Sequence, residues 1–113
     1  MKLVEKEISL SELKLLSEKN NNRVKAVVDI EKEIMVVDAE WHSDIEKMLV
    51  EMGSEQNNLW GIIFHPDKFP NSDWIEFNSM INLRPSGGNK TKSVDDPKKQ
   101  ERIIVIVNKL VKK

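Results

Sequence analysis

Two short apolar runs separated by a polar turn limit what this chain can become. Val24 to Ile30 alternates and is rich in β-branched residues, and after Glu31-Lys32-Glu33 a second such run continues through Ala39. β-Branched residues fit the pleated surface of a sheet, and two runs joined by a short polar link read as a hairpin. Val24, Ala26, Val28 and Ile30 share one face, because successive strand side chains point to opposite sides. With Met35, Val37 and Ala39 turned to the core, Val27, Ile34 and Val36 lie on the other face, beside Asp29 and Asp38. That second face is too apolar for plain solvent surface, so the pattern expects something to cover part of it.

The remaining segments supply partners for the hairpin. Residues 3–8 are a candidate short strand. Ser9 with Glu12 is a capping box, and Ile8 and Leu13 have the spacing of a hydrophobic staple, so a helix is expected from there to about Lys19. Ser43 with Glu46 repeats the box, followed by Ile45, Met48, Leu49 and Met52 at helical spacing, with Gly53 as a stop. Leu59 to Phe64 is apolar on both faces, as a central strand would be. Residues 74–83 alternate Ile75, Phe77, Ile81 and Leu83 against Glu76, Asn78, Asn82 and Arg84, which predicts a half-buried strand. Pro85 to Asp96 reads as a loop. Asp95 or Asp96 then caps a last helix with Pro97 in its first turn and Ile103, Ile104, Val107, Leu110 and Val111 as its stripe. The expectation is a single α+β domain over 1–113. Its antiparallel sheet has four strands, or five with residues 3–8, built from two hairpins, with three helices mainly on one face. Phe77, Ile81, Ile62 and Leu49 are expected in its core.

Composition removes whole classes of function. There is no cysteine, which excludes thiol catalysis and thiolate metal sites and points to a reducing cytoplasm. The longest apolar run, Ile103 to Val107, is far too short to cross a bilayer, and charges interrupt the N-terminus at once, so neither membrane insertion nor a signal region is expected. Charge is unevenly spread. Residues 1–58 hold eight basic and thirteen acidic groups, and residues 90–113 hold eight basic and three acidic. A basic C-terminal segment reads either as a solvated helix face or as a phosphate contact. The pI of about 6.1 counts against strong nucleic-acid binding.

Four groups of residues have chemistry to offer. Asp38, Glu40 and His42 stand at alternate positions, so in an extended segment they project to one side. Two carboxylates and an imidazole suit Mn, Fe, Zn or Ni, with Asp29 or His65 as a further ligand. The competing reading is acidic residues complementing a helix start. The second group is Asn82, Arg84, Gly87, Gly88, Asn89, Lys90 and Lys92. There a strand end would aim a guanidinium, the glycines would turn amides toward an anion, and two lysines add charge. The competing readings are a plain polar loop, or Arg84 paired with an acid of the N-terminal half such as Asp38 or Glu40. The Gly-x4-Gly-Lys-Ser/Thr spacing of a P-loop is missing. Third, bases or ligands can stack on tryptophan, and the chain has Trp41, Trp60 and Trp74. Trp60 reads as core, whereas Trp74, on the polar side of its predicted strand, is a candidate interface or rim aromatic. Last, His65 and Asp67 suggest an oriented imidazole, but no serine nucleophile elbow accompanies them.

Val24-Lys-Ala-Val-Val-Asp-Ile-Glu-Lys32, Val37-Asp-Ala-Glu-Trp-His42, Asn58-Leu-Trp-Gly-Ile62 and Ile75-Glu-Phe-Asn-Ser-Met-Ile-Asn-Leu-Arg-Pro85, with Gly88-Asn89 after it, together resemble a family of small prokaryotic proteins known only as a domain of unknown function. The resemblance covers nearly the whole chain. It implies one fold and brings no activity with it. In that pattern an acid often stands where this chain has Asn78, and arginines near Lys90 and Lys92. The reading that follows is a non-enzymatic binding or interaction domain, self-associating as a homodimer through the apolar second face of the first hairpin. The alternatives are a small metal-dependent or anion-binding enzyme, and a nucleic-acid accessory protein using the 84–92 loop and last helix. The sequence leaves the cofactor open.

Overall fold

The expected hairpin sits at the centre of the computed structural model, which describes residues 1–113. β3 (Val24–Asp29) and β4 (Ile34–Val37) pair antiparallel, with Ala26 opposite Val37 and Val28 opposite Met35. Asp29 builds the reversal: its Oδ1 accepts from the amides of Glu31 and Lys32, and its Oδ2 from the Ser54 hydroxyl. An aspartate that bonds its own backbone two residues on is a standard turn device. β1 (Lys2–Val4) adds to β4, β5 (Leu59–Phe64) to β3, and β6 (Ile75–Glu76) to β5. The result is a five-stranded antiparallel sheet ordered β1-β4-β3-β5-β6. β2 (Ile8–Ser9) and β7 (Val111–Lys112) make a separate parallel pair. With three α-helices this is the α+β architecture expected, including the fifth strand.

Helices cover both faces. α1 (Leu10–Glu18) and α3 (Pro97–Leu110) pack on the face of Val24, Ala26 and Val28, where Leu13, Ile103, Ile106, Val107 and Leu110 close the larger core. Their caps are as expected: Ser9 accepts from the Glu12 amide and Asp96 from the Lys98 amide. α2 (His42–Glu51) takes the opposite face and buries Ile45 and Leu49 against Val27, Val36 and Leu59. Each such fully buried aliphatic side chain contributes about 1.5 to 3 kcal/mol relative to exposure. The cover that the over-apolar second face required is therefore α2. The surface that suggested a homodimer is used inside the chain, and neither β3 nor β4 is an edge strand.

The segment after Trp74 departs from expectation. Only Ile75 and Glu76 pair with β5, after which the chain leaves the strand and makes a 3₁₀ turn at Met80–Asn82. Ile75 and Phe77 pack with the larger core, whereas Ile81 packs with the smaller, so one alternating pattern serves two faces. Trp74 precedes the pairing, and its ring is 5% exposed, stacked on Phe64 at 4.9 Å with Phe69 edge-on at 5.1 Å. It is a core residue and not an interface aromatic.

Candidate functional site

Where the chain departs from β5, side chains replace the missing strand. The β5 groups that face this edge belong to Leu59, Gly61 and Ile63, since alternate residues of a strand point their backbone groups the same way. Ile63 is paired with Glu76. Gly61 is met by the fully buried Asn82 amide, whose Oδ1 accepts from the Gly61 N–H at 2.8 Å and whose Nδ2 donates to the Gly61 carbonyl at 3.0 Å. Leu59 is met by Arg84, which donates Nη2 to its carbonyl at 2.5 Å. An unpaired edge invites other chains, and here every outward group of β5 is answered from within.

These bonds consume most of the expected anion site. Asn82 also donates to the Lys92 carbonyl at 2.9 Å. Asn89 donates Nδ2 to the carbonyls of Asn82, Thr91 and Ser93 and accepts from the Asp95 amide. Arg84 lies 3.6 Å from the Glu46 carboxylate and above the Trp60 ring at 4.7 Å. Burial pulls its pKa down and Glu46 pushes it back up. The pairing with an acid of the N-terminal half is thus present, with Glu46 in place of Asp38 or Glu40. Gly87 and Gly88 form an exposed turn, Gly88 in the left-handed region at φ 94°, and the Lys90 amide is bonded to Asp95. Of the seven residues, Lys92 alone extends to a cleft.

The expected metal set is not assembled. Asp38 ends β4 in the left-handed region at φ 71°, Glu40 is exposed, and His42 is already in the first turn of α2, so the extended geometry that would align them is broken. Asp29 is spent in the hairpin turn. His65 bonds Glu76 at 2.8 Å in place of Asp67, and draws the Glu76 carboxyl below its usual pKa. No three His, Asp or Glu side chains lie close enough to share an ion. Three of the four basic residues of α3 are also placed: Arg102 and Lys109 hold Glu33, and Lys99 lies over Trp60.

A candidate site lies where α2 begins. The helix covers its face of the sheet only as far as His42, and beyond that end a cleft of about 250 Å³ opens over Ile63. Lys25, opposite Ile63 across the sheet, forms one wall, and residues 78–81 with Lys92 form another. Trp41, the N-cap, is 60% exposed and gives no side-chain cap; the Asp44 amide bonds the Trp41 carbonyl at 3.2 Å, and the amides of His42 and Ser43 are left without a protein partner. The Lys92 ammonium has no ion-pair partner, whereas Lys25 donates to the Glu40 carbonyl at 2.6 Å and lies 5.3 Å from the Trp41 ring.

Gly61 brings the walls together. A Cβ there would fall 2.5 Å from the Ser79 Cβ and 3.2 Å from the His42 Cδ2, so only glycine lets both side chains rest on β5. His42 is 8% exposed and donates Nε2–H to the Ile62 carbonyl at 2.8 Å. That bond fixes the tautomer, leaving a lone pair on Nδ1, which no protein group engages. Burial first, and then the charge of Lys25, hold the imidazole pKa below its usual value, so the ring is neutral at pH 7. Asn78 donates its Nδ2 to Glu76, which leaves its Oδ1 as an acceptor. The cleft therefore offers cationic and amide donors, the hydroxyls of Ser43 and Ser79, and two neutral acceptors, beside an aromatic plate. Such a set can hold an anion, and the neutral imidazole can accept a hydrogen bond from a ligand hydroxyl at Nδ1. In the sequence Trp41 is among the tryptophans on which a ligand could stack, whereas Ser43 reads only as a helix cap, because its place in the cleft depends on where α2 stops on the sheet.

No curated protein and no solved structure matches this chain. Residues 2–110 match the family described as "Protein of unknown function (DUF5674)", and the chain belongs to that family.

Proposed function

We propose that this member of a family without an assigned activity is a binding domain for a small anion, held in the cleft at the start of α2. The observation that carries this reading is the convergence of Lys25, Lys92 and the uncapped first turn of α2 around an imidazole that is more than nine-tenths buried and keeps one nitrogen unpartnered. The helix dipole and the amides of His42 and Ser43 favour negative charge at that end, although Asp44 in the same turn already takes part of that potential. Two ammonium groups add to it. His42 Nδ1 and Asn78 Oδ1 require a hydrogen from the ligand, which suits a phosphate monoester or a hydroxy acid better than a bare inorganic anion. The expected anionic ligand is retained, and its place moves from the Gly87–Gly88 turn to the α2 cleft.

Calorimetric titration with inorganic phosphate, a phosphate monoester and a hydroxy acid tests this. Binding that falls at least about tenfold in Lys92→Ala and stays unchanged in Lys90→Ala supports the cleft. Equal losses in the two variants, or no heat with any of the three ligands, overturn it.

A further inference from the structure

The α2 cleft does not end at Trp41. A second cleft of about 310 Å³ lies beyond, lined by Lys19, Asn21, Arg23 and Glu40, and it shares Lys25 and Trp41 with the first. The two adjoin at Lys25 and the exposed Trp41, and we read them as one groove with the indole at its middle. Lys19, Arg23, Lys25 and Lys92 bring four positive charges to it, and Glu40 brings one negative, so its lining carries 4 − 1 = +3. The whole chain carries −1. Charge of this sign concentrated in one groove, against the balance of the rest, is an electrostatic footprint. Glu76 lies near Arg23, and its carboxylate is already engaged by His65 and Asn78.

From this arrangement we infer that the groove binds single-stranded nucleic acid, with one base stacked on Trp41 and backbone phosphates on either side of it. One phosphate sits at the α2 end with Lys92, and the next near Lys19 and Arg23. A single strand alternates planar bases with charged phosphates, and a groove that alternates cations with an aromatic plate matches that order. A duplex keeps its bases stacked and has none to place on the indole. An acidic peptide supplies charge along the groove but no regular planar partner for it. Asn21 and Asn78 add amide groups for base edges or sugar hydroxyls. This inference rests on the anion site proposed above, extended past Trp41.

Fluorescence anisotropy with labelled eight-nucleotide oligo-U and oligo-dT, at 50 and 200 mM salt, tests it. Neutralising three to four phosphates of a single strand gives a log–log salt slope of about −2 to −3, so affinity should drop roughly 20- to 50-fold over that range. Trp41→Ala should weaken binding about tenfold, with Trp41→Phe restoring most of it. Arg23→Glu and Lys92→Glu should each weaken it, and Lys6→Glu, away from the groove, should not. Thermal melts of each variant establish that it is folded. Comparable affinity of oligo-U and oligo-dT supports backbone and stacking recognition, and a preference for oligo-U adds the sugar hydroxyl. Poly-glutamate competing as well as unlabelled oligonucleotide, or Trp41→Ala binding like the parent, overturns the inference. Phosphate monoester binding without oligonucleotide binding overturns it while leaving the anion site in place, and no binding of either ligand removes both.

Discussion

Asn82 offers the sharpest test of how the cleft is held. Its side chain is fully buried and makes three hydrogen bonds, to the Gly61 N–H, the Gly61 carbonyl and the Lys92 carbonyl. A hydrogen bond contributes about 0.5 to 1.5 kcal/mol net, and a buried group left without a partner costs about 1 to 3 kcal/mol. Asn82→Ala removes three bonds and orphans up to three main-chain groups, so a loss of about 3 to 5 kcal/mol is expected. Against a total stability of about 5 to 15 kcal/mol this is a large share. Urea unfolding followed by tryptophan fluorescence measures it. Asn82→Asp separates hydrogen bonding from packing, because the volume is kept. At pH 7 it sets a carboxylate oxygen against two carbonyls and should cost more than alanine. Burial and those carbonyls raise the folded pKa of the introduced carboxyl, so the folded state binds a proton more tightly than the unfolded chain. The Asn82→Asp variant should therefore recover stability relative to the parent as pH falls toward about 4. A loss under about 1 kcal/mol in Asn82→Ala, or an Asn82→Asp variant that tracks the parent at all pH values, would refute the reasoning.

Gly61→Ala should destabilise by about 1 to 3 kcal/mol through overpacking against Ser79, and Ser79→Gly in the same chain should return part of that loss. Arg84→Lys should lower stability by about 1 to 3 kcal/mol in urea unfolding, because lysine cannot meet Leu59 and Glu46 together, and should leave phosphate affinity unchanged. His42 has a lowered pKa in the fold, so its contribution is complete above the unfolded value of about 6.5 and is lost as pH falls from there toward the folded value. Thermal melts between pH 7.5 and 5.5 should show that decline in the parent and a flatter profile in His42→Gln. Glu33, Glu76 and Asp95 have lowered carboxyl pKa values, so their losses come only in more acid solution.

Local pattern carried much of the fold. The β-branched hairpin, the Ser9 and Asp96 caps, the stop at Gly53 and the apolar run of β5 each depend on neighbours within a few residues, where propensity and periodicity act. The same logic failed where tertiary contacts outweigh it. Residues 74–83 alternate as a strand does, yet the Asn82 amide at Gly61 satisfies the β5 edge as well as a strand would and frees the segment to turn. Ser43 followed by Glu46 has the form of a cap, but Trp41 is the N-cap, and His42 lies in the first turn with its ring bonded to the Ile62 carbonyl. The whole-chain pI averages over the surface, so it does not report that Lys19, Arg23, Lys25 and Lys92 line two adjoining clefts.

By itself the sequence determined that this chain folds as α+β around a central hairpin with an apolar surface needing cover, since alternation and capping act through adjacent residues. Only the tertiary structure decided that α2 supplies the cover and that its N-terminus stops short of Ile63. It also decided that Lys25, His42 and Lys92, separated by 17 and 50 positions in the chain, face one cleft. Those placements follow from packing between elements distant in sequence, with Gly61 leaving the room and Asn82 fixing the wall, and no local pattern encodes them.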